Sequence, residues 1–191
     1  MRLLARLPAF GSHSGAGPNG LLPAHGHGPE SLCGDTTGPV MDLITLVMAC
    51  APFVSANTML AVIHQESRGN PWAINVNGSQ RYRKASSYEE AVAESKRLIA
   101  SGANIDMGLM QINSKTMSSL GLTVERVFDP CTNVYAGGTV LTRNYVQAAR
   151  TLPSDQAALL AALSAYNTGN YSRGLKNGYV SGVVKAALFG Y

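Results

Sequence analysis

The chain has 191 residues, 46% of them hydrophobic and 14% charged, enough for one packed core and too few for two large domains. A mean hydropathy of +0.04 and the high apolar content exclude a wholly disordered chain. The 15 basic against 11 acidic side chains give +4, diffuse and mild. That balance suits a polyanionic surface such as a cell wall but lacks the basic stripe with interleaved aromatics expected of a nucleic-acid binder, so no nucleic-acid partner is expected.

Residues 1–40 hold 8 of the 20 glycines, 5 of the 9 prolines and 3 of the 4 histidines and show no helical or strand period. They read as a disordered Gly/Pro-rich tail or a mis-assigned extension, with Met41 as an alternative start. His13, His25 and His27 read as solvated, because no Cys or acidic partner sits at ligand spacing; no metal and no cofactor are expected. Arg6 and Pro8 interrupt the apolar start at Met1–Phe10 too early for an export signal. Leu43–Cys50 followed by Val54-Ser55-Ala56 is a second candidate signal, with Asp42 where a positive charge is usual. The preferred reading makes it the first helix of the domain. No apolar run reaches the length of a membrane span.

From Asp42 onward the punctuation is helical. Ser55 stands as a cap before Met59, Leu60, Val62 and Ile63, and Gly69 with Asn70-Pro71 closes that helix. Ser87 to Glu90 forms a capping box leading into Ala91, Val92, Ser95, Leu98 and Ile99, with Gly102 as the stop. A short helix runs from Ser114 to Leu120. Asp129 and Pro130 open a long helix through Arg150, on which Gly137 and Gly138 allow close approach of a neighbour. Ser154 caps a helix burying Leu159, Leu160 and Leu163, and a weaker one spans Tyr179 to Leu188. No useful period-2 stretch appears, so the domain at 41–191 is expected to be mainly α.

The carboxylates of this region narrow the chemistry. Asp42, Asp129 and Asp155 lie at helix starts, Glu89 and Glu90 in a first turn, and Glu94 and Glu125 on polar faces. Glu66 and Asp106 are left. Glu66 follows Val62 by four and Ile63 by three, placing a carboxyl beside the apolar stripe, where desolvation favours its protonated form. Helix spacing alone favours the plainer alternative, a side chain bent into solvent or paired with Arg68. Asp106 opens a Met-rich segment ending in Gln111 and Asn113. Alternation would turn those amides toward a ligand such as a sugar while Leu109, Met110 and Ile112 anchor the loop; a packed loop with the amides on backbone groups is an equal alternative. Ala165 to Asn170 puts Tyr166 and Asn167 before a glycine turn, which explains Gly169 alone.

Taken in order, Gln65-Glu66-Ser67, Gly108-Leu109-Met110-Gln111 and Ala165-Tyr166-Asn167-Thr168-Gly169 resemble the lysozyme-like lytic transglycosylases, of the goose-type or SLT kind. The fuller strings from Cys50 to Pro52, Glu66 to Pro71, Ile105 to Asn113 and Asp129 to Asn133 are similar to the VirB1-like branch that serves type IV secretion and conjugation machines. The resemblance runs from about Asp42 to about Asn170.

It implies a helical domain with a sugar-binding cleft and peptidoglycan glycan strands as partner. Glu66 is then the acid and base acting on the β-1,4 link between N-acetylmuramic acid and N-acetylglucosamine. Ser67 would help position the carboxyl or the acetamido group, Met110, Gln111 and Asn113 would line the sugar subsite, and Gly108 would let the backbone approach the glycan. Tyr166 and Asn167 would sit over Glu66, the tyrosine hydroxyl bonded near it. Ordinary glycosidases need two carboxylates, the second to attack or to activate water. A lytic transglycosylase needs one, because the muramyl 6-hydroxyl attacks within the substrate and closes a 1,6-anhydro ring. Asp106, a secondary candidate, could instead hold a water and give lysozyme-type hydrolysis; a structural role is preferred for it. A wall-binding module without activity and a structural component of the secretion apparatus are competing readings of the same chain.

The resemblance further implies that Cys50 pairs with Cys131, leaving Cys33 over, with no lipoprotein site before it. The implied substrate places the protein in the periplasm, which the weak export signal does not match. Cleavage after Ala56 would remove Cys50 and forbid the pairing.

Overall fold

The computed structural model describes residues 42–78 and 83–190; the expectations for residues 1–40, including the three tail histidines and Cys33, lie outside them. Helix α1 (Leu43–Cys50) starts at Asp42, whose side chain accepts the N–H of Thr45 at 2.9 Å. The stretch that resembled a signal core is therefore a helix of the domain, and its last residue is bonded to Cys131. That disulfide joins residues 81 positions apart and contributes on the order of 4 kcal/mol in the chain-entropy account.

Helix α2 (Ala56–Ser67) runs through the core, with Met59, Ala61, Val62 and Ile63 at most 1% exposed. Ser55 holds the cap position with its backbone carbonyl, which accepts from Met59, but its side chain makes no capping bond. The helix ends one residue before the expected glycine: Arg68 is left-handed at φ 56° and donates its N–H to His64 O, with Gly69 continuing at φ 78°.

A small antiparallel sheet follows, which the sequence did not announce. Strands β1 (Ala73–Val76), β2 (Arg83–Lys84), β3 (Ile105–Met107) and β4 (Ile112–Asn113) lie in the order β2-β1-β3-β4. Each is two to four residues long, too short to carry a readable alternation. Between β2 and β3 lies α3 (Tyr88–Ala100), capped by Ser87, which accepts from Glu90 N–H. The reciprocal arm of the box reaches one residue further back, since Glu90 accepts from Ser86 N–H at 2.8 Å.

Asn113 caps α4 (Ser114–Ser119), and a one-turn helix α5 (Val124–Val127) precedes α6 (Pro130–Ala149), which begins at Asp129 and Pro130. The two glycines of α6 do allow close approach: a Cβ on Gly137 would lie 2.6 Å from the side chain of Met110, and one on Gly138 3.3 Å from Ala51. Helix α7 (Asp155–Thr168) packs along α6 and ends at left-handed Gly169. A second single turn, α8 (Arg173–Lys176), leads to α9 (Tyr179–Phe189), which packs against α2. Neither α5 nor α8, at four residues each, spans enough sequence to show a 3.6-residue period. Among the described residues no helix is long and apolar enough to cross a membrane.

Candidate active site

The C-terminal end of α2, the β3-β4 turn, the end of α7 and the middle of α6 enclose a cleft of about 350 Å³. Glu66, Asp106, Gln111, Asn113, Tyr166 and Asn167 line it, joined by Asn77, Asn104, Thr116, Val140 and Asn144, which sequence reasoning did not single out. Of the region's carboxylates, Glu66 and Asp106 are the two on this wall. Glu94 is paired with Arg97, Glu125 with Lys96, and Asp42, Asp129 and Glu90 accept backbone N–H groups at helix starts.

Glu66 leaves the last turn of α2 on the side of the apolar stripe and is half-buried. It does not pair with Arg68, whose guanidinium stands 3.1 Å from His64 Nε2. Its Oε1 accepts the hydroxyl of Tyr179 at 2.5 Å. Burial raises the carboxyl from an ordinary 4.5 to about 7, the Tyr179 bond opposing that shift and the charge of Asp106 adding to it. A carboxyl so poised both gives and takes a proton near neutral pH.

Tyr179 is the partner that the sequence missed. It is 7% exposed at the first position of α9, and burial together with the neighbouring Glu66 raises its phenol well above the usual range, so it stays a donor. Tyr166, expected over the acid, lines the same cleft and its phenol feels the charge of Glu66, but its hydroxyl donates to Met110 O at 2.7 Å rather than to the carboxyl and ties α7 to the β3-β4 turn. Nothing in the local pattern separates the two tyrosines; only the packing of α9 on α2 does.

Asp106 is held by amides. Its carboxylate accepts from Asn113 at 2.7 Å, from Asn77 at 2.9 Å and from Asn75 at 3.5 Å, so it fastens β1, β3 and β4 together along the cleft wall. Asn113, expected as a sugar ligand, is taken up in this way: its Nδ2 bonds Asp106 and its Oδ1 caps α4 at Lys115 N–H. Gln111 sits at φ 47°, one of two non-glycine residues with positive φ among the described residues, the other being Arg68. Its Nε2 donates to Gly108 O and Ala73 O, which leaves Oε1 for a ligand.

Three expected site residues do not line the cleft. Ser67 is 5% exposed, and its hydroxyl donates back to Ile63 O at 3.2 Å rather than to the acid. Met110 is fully buried and packs against α6 at Gly137. Gly108 is needed for a different neighbour: at φ 77°, a Cβ there would fall 2.2 Å from Asn133 Nδ2. Asn133, 1% exposed, accepts Met110 N–H and donates to Met107 O and Val127 O, so one buried amide shapes the whole turn. Among the described residues no group of three or more His, Cys, Asp or Glu could hold a metal ion.

Comparison with known proteins adds one family and three relatives. Residues 46–187 match the family described as Transglycosylase SLT domain. The chain is 36% identical over 154 residues to the type IV secretion system protein virB1 of Brucella abortus, covering 78% of this chain and 65% of that protein. It is 38% identical over 138 residues to protein virB1 of Rhizobium radiobacter and 36% identical over 138 residues to that of Agrobacterium fabrum, covering 72% of this chain and 57% and 56% of theirs. The chain thus spans under two thirds of the length of these curated relatives. No solved structure matches.

Proposed function

The chain belongs to the transglycosylase SLT domain family, and from that we propose that it is a peptidoglycan lytic transglycosylase that cleaves the MurNAc-β-1,4-GlcNAc bond with formation of 1,6-anhydroMurNAc. The observation that carries the reading is the unequal state of the two cleft carboxyls. Glu66 is held near neutrality beside one phenol, whereas Asp106 is engaged by three asparagine amides.

One poised carboxyl suffices for this reaction. Protonated Glu66 gives its proton to the glycosidic oxygen as the bond to the muramyl anomeric carbon breaks. The resulting carboxylate then takes the proton of the muramyl 6-hydroxyl, whose oxygen closes on that same carbon. The acid is thereby regenerated, and no external water enters. Gln111 and Asn167, with Asn104 and Asn144, offer amide groups suited to acetamido and hydroxyl groups along the strand.

The substrate sets the compartment as the periplasm, and the name of the Brucella relative supports a role in opening the wall locally for a type IV secretion or conjugation apparatus. One observation favours a second reading. Asp106 lines the same cleft as Glu66, and its charge reaches that carboxyl, so a water held between them would make the protein a lysozyme-type hydrolase. Muropeptide analysis of a digest separates the two: 1,6-anhydro ends are expected from the wild type and none from Glu66→Gln. Reducing ends in their place, or an active Glu66→Gln, would overturn the proposal. A non-catalytic wall binder would release nothing.

A further inference from the structure

Asn177, in the link between α8 and α9, uses both ends of its side-chain amide at the place where three helices meet. Its Oδ1 accepts the N–H of Tyr179 at 3.0 Å, giving α9 the start that its cap residue, Gly178, has no side chain to provide. Its Nδ2 donates to Oδ1 of Asn167 at 3.0 Å, in the last turn of α7. A backbone N–H can only donate, so the bond from Tyr179 fixes which end of the Asn177 amide is oxygen. The other end is then the NH₂, and Asn167 must meet it with its own oxygen. Because Asn167 lines the cleft, the group it keeps wholly for a ligand is its NH₂, its oxygen already holding one bond.

We propose that Asn177 is a positioning residue that sets Asn167 as a hydrogen-bond donor toward the glycan and, through the same side chain, holds the start of α9 so that Tyr179 stays on Glu66. The inference rests on the transglycosylase reading and adds a specificity to it. The substrate atom that meets the Asn167 NH₂ is an acceptor, such as an acetamido carbonyl or a sugar hydroxyl oxygen, while Gln111 presents an acceptor elsewhere on the wall. Both ends of the device lie at the reacting centre: Tyr179 from α9 bonds Glu66, the charge of Asp106 from β3 acts on it, and the charge of Glu66 in turn acts on Tyr166 from α7, the residue before Asn167.

Two variants of the full chain divide the roles. Asn177→Ala removes both bonds. Asn177→Ser keeps an acceptor for the N–H two residues on, as serine turns do, but is too short to reach Asn167. On peptidoglycan, Asn177→Ala is expected to raise KM about fivefold, the worth of one hydrogen bond, to lower kcat, and to move the alkaline limb of the rate profile to higher pH. Asn177→Ser is expected to keep the raised KM and return the limb to its wild-type position. An alanine variant that melts earlier but keeps the wild-type KM and limb has a merely structural residue, and the proposal fails. If the alanine variant does not fold, an unchanged KM in Asn177→Ser overturns it. In Glu66→Gln protein titrated with an N-acetylglucosamine tetramer, the side-chain NH₂ resonances of Asn167 are expected to shift, and their constancy also overturns it. Failure of the underlying reading looks different: reducing-end products from the wild type would refute transglycosylation whatever Asn177 does.

Discussion

Tyr179 donates its hydroxyl to Glu66 at 2.5 Å across 113 positions of chain. The bond favours the ionised carboxyl, burial favours the neutral one, and burial prevails, leaving the group at about 7. The site is therefore a balance between a wall that keeps the proton on and a phenol that eases it off, and the balance point is the pH at which acid and base forms are both populated.

Replacing Tyr179 by Phe keeps the ring and removes the donor. The carboxyl should then titrate higher by about one unit or more, since a hydrogen bond to a charged group is worth about 1.5–3 kcal/mol. The alkaline limb of the kcat/KM profile moves up with it. At neutral pH the rate falls, because the carboxylate that must form in the second half of the reaction has lost its stabilising partner. A pH series on the variant beside the wild type checks this, and an unmoved limb would show that the phenol does not tune the acid.

Glu66 also ties stability to pH. Its folded value of about 7 lies above its ordinary 4.5, so the folded state binds this proton more tightly than the unfolded chain does. That contribution is complete below pH 4.5, declines as pH rises through 7 and is gone above it, a loss on the order of 3 kcal/mol. Gln cannot ionise. Urea denaturation should therefore find Glu66→Gln close to wild type at about pH 4 and more stable than wild type at about pH 8. Equal stability at both values would mean that the fold imposes no burden on the charge.

Gly108→Ala should damage the fold more than a surface glycine would. The new Cβ meets Asn133 at 2.2 Å in a left-handed backbone, and moving Asn133 releases Met110 N–H and the carbonyls of Met107 and Val127. A loss of about 3 kcal/mol or more is expected, measured as a lower denaturation midpoint. Gly78→Ala, also left-handed but with open space around its Cβ, should cost roughly 1 kcal/mol and serves as the control.

Helix starts were legible because they depend on groups within one turn of each other. Asp42, Ser87, Asp129 and Ser154 each accept a backbone N–H three residues on, and that spacing is visible in any sequence. Elimination among the carboxylates likewise led to Glu66 and Asp106, which line one cleft. The sheet stayed hidden because its strands are two to four residues long and gain their partners across loops, as Asp106 does with Asn75 and Asn113.

Sequence alone determined the mostly helical class and singled out, without deciding their role, the carboxyl beside an apolar stripe and the amides of the Met-rich turn, since each rests on side chains spaced along a single segment. Tertiary structure decided which tyrosine touches Glu66, that Asp106 is bound up with three asparagines, and that Gly108 makes room for Asn133. Those outcomes depend on distant groups meeting at hydrogen-bond range or closer, Asn77 with Asp106 across 29 positions and Tyr179 with Glu66 across 113. The geometry that brings them together is set by how α2, α9 and the sheet pack, which no local pattern encodes.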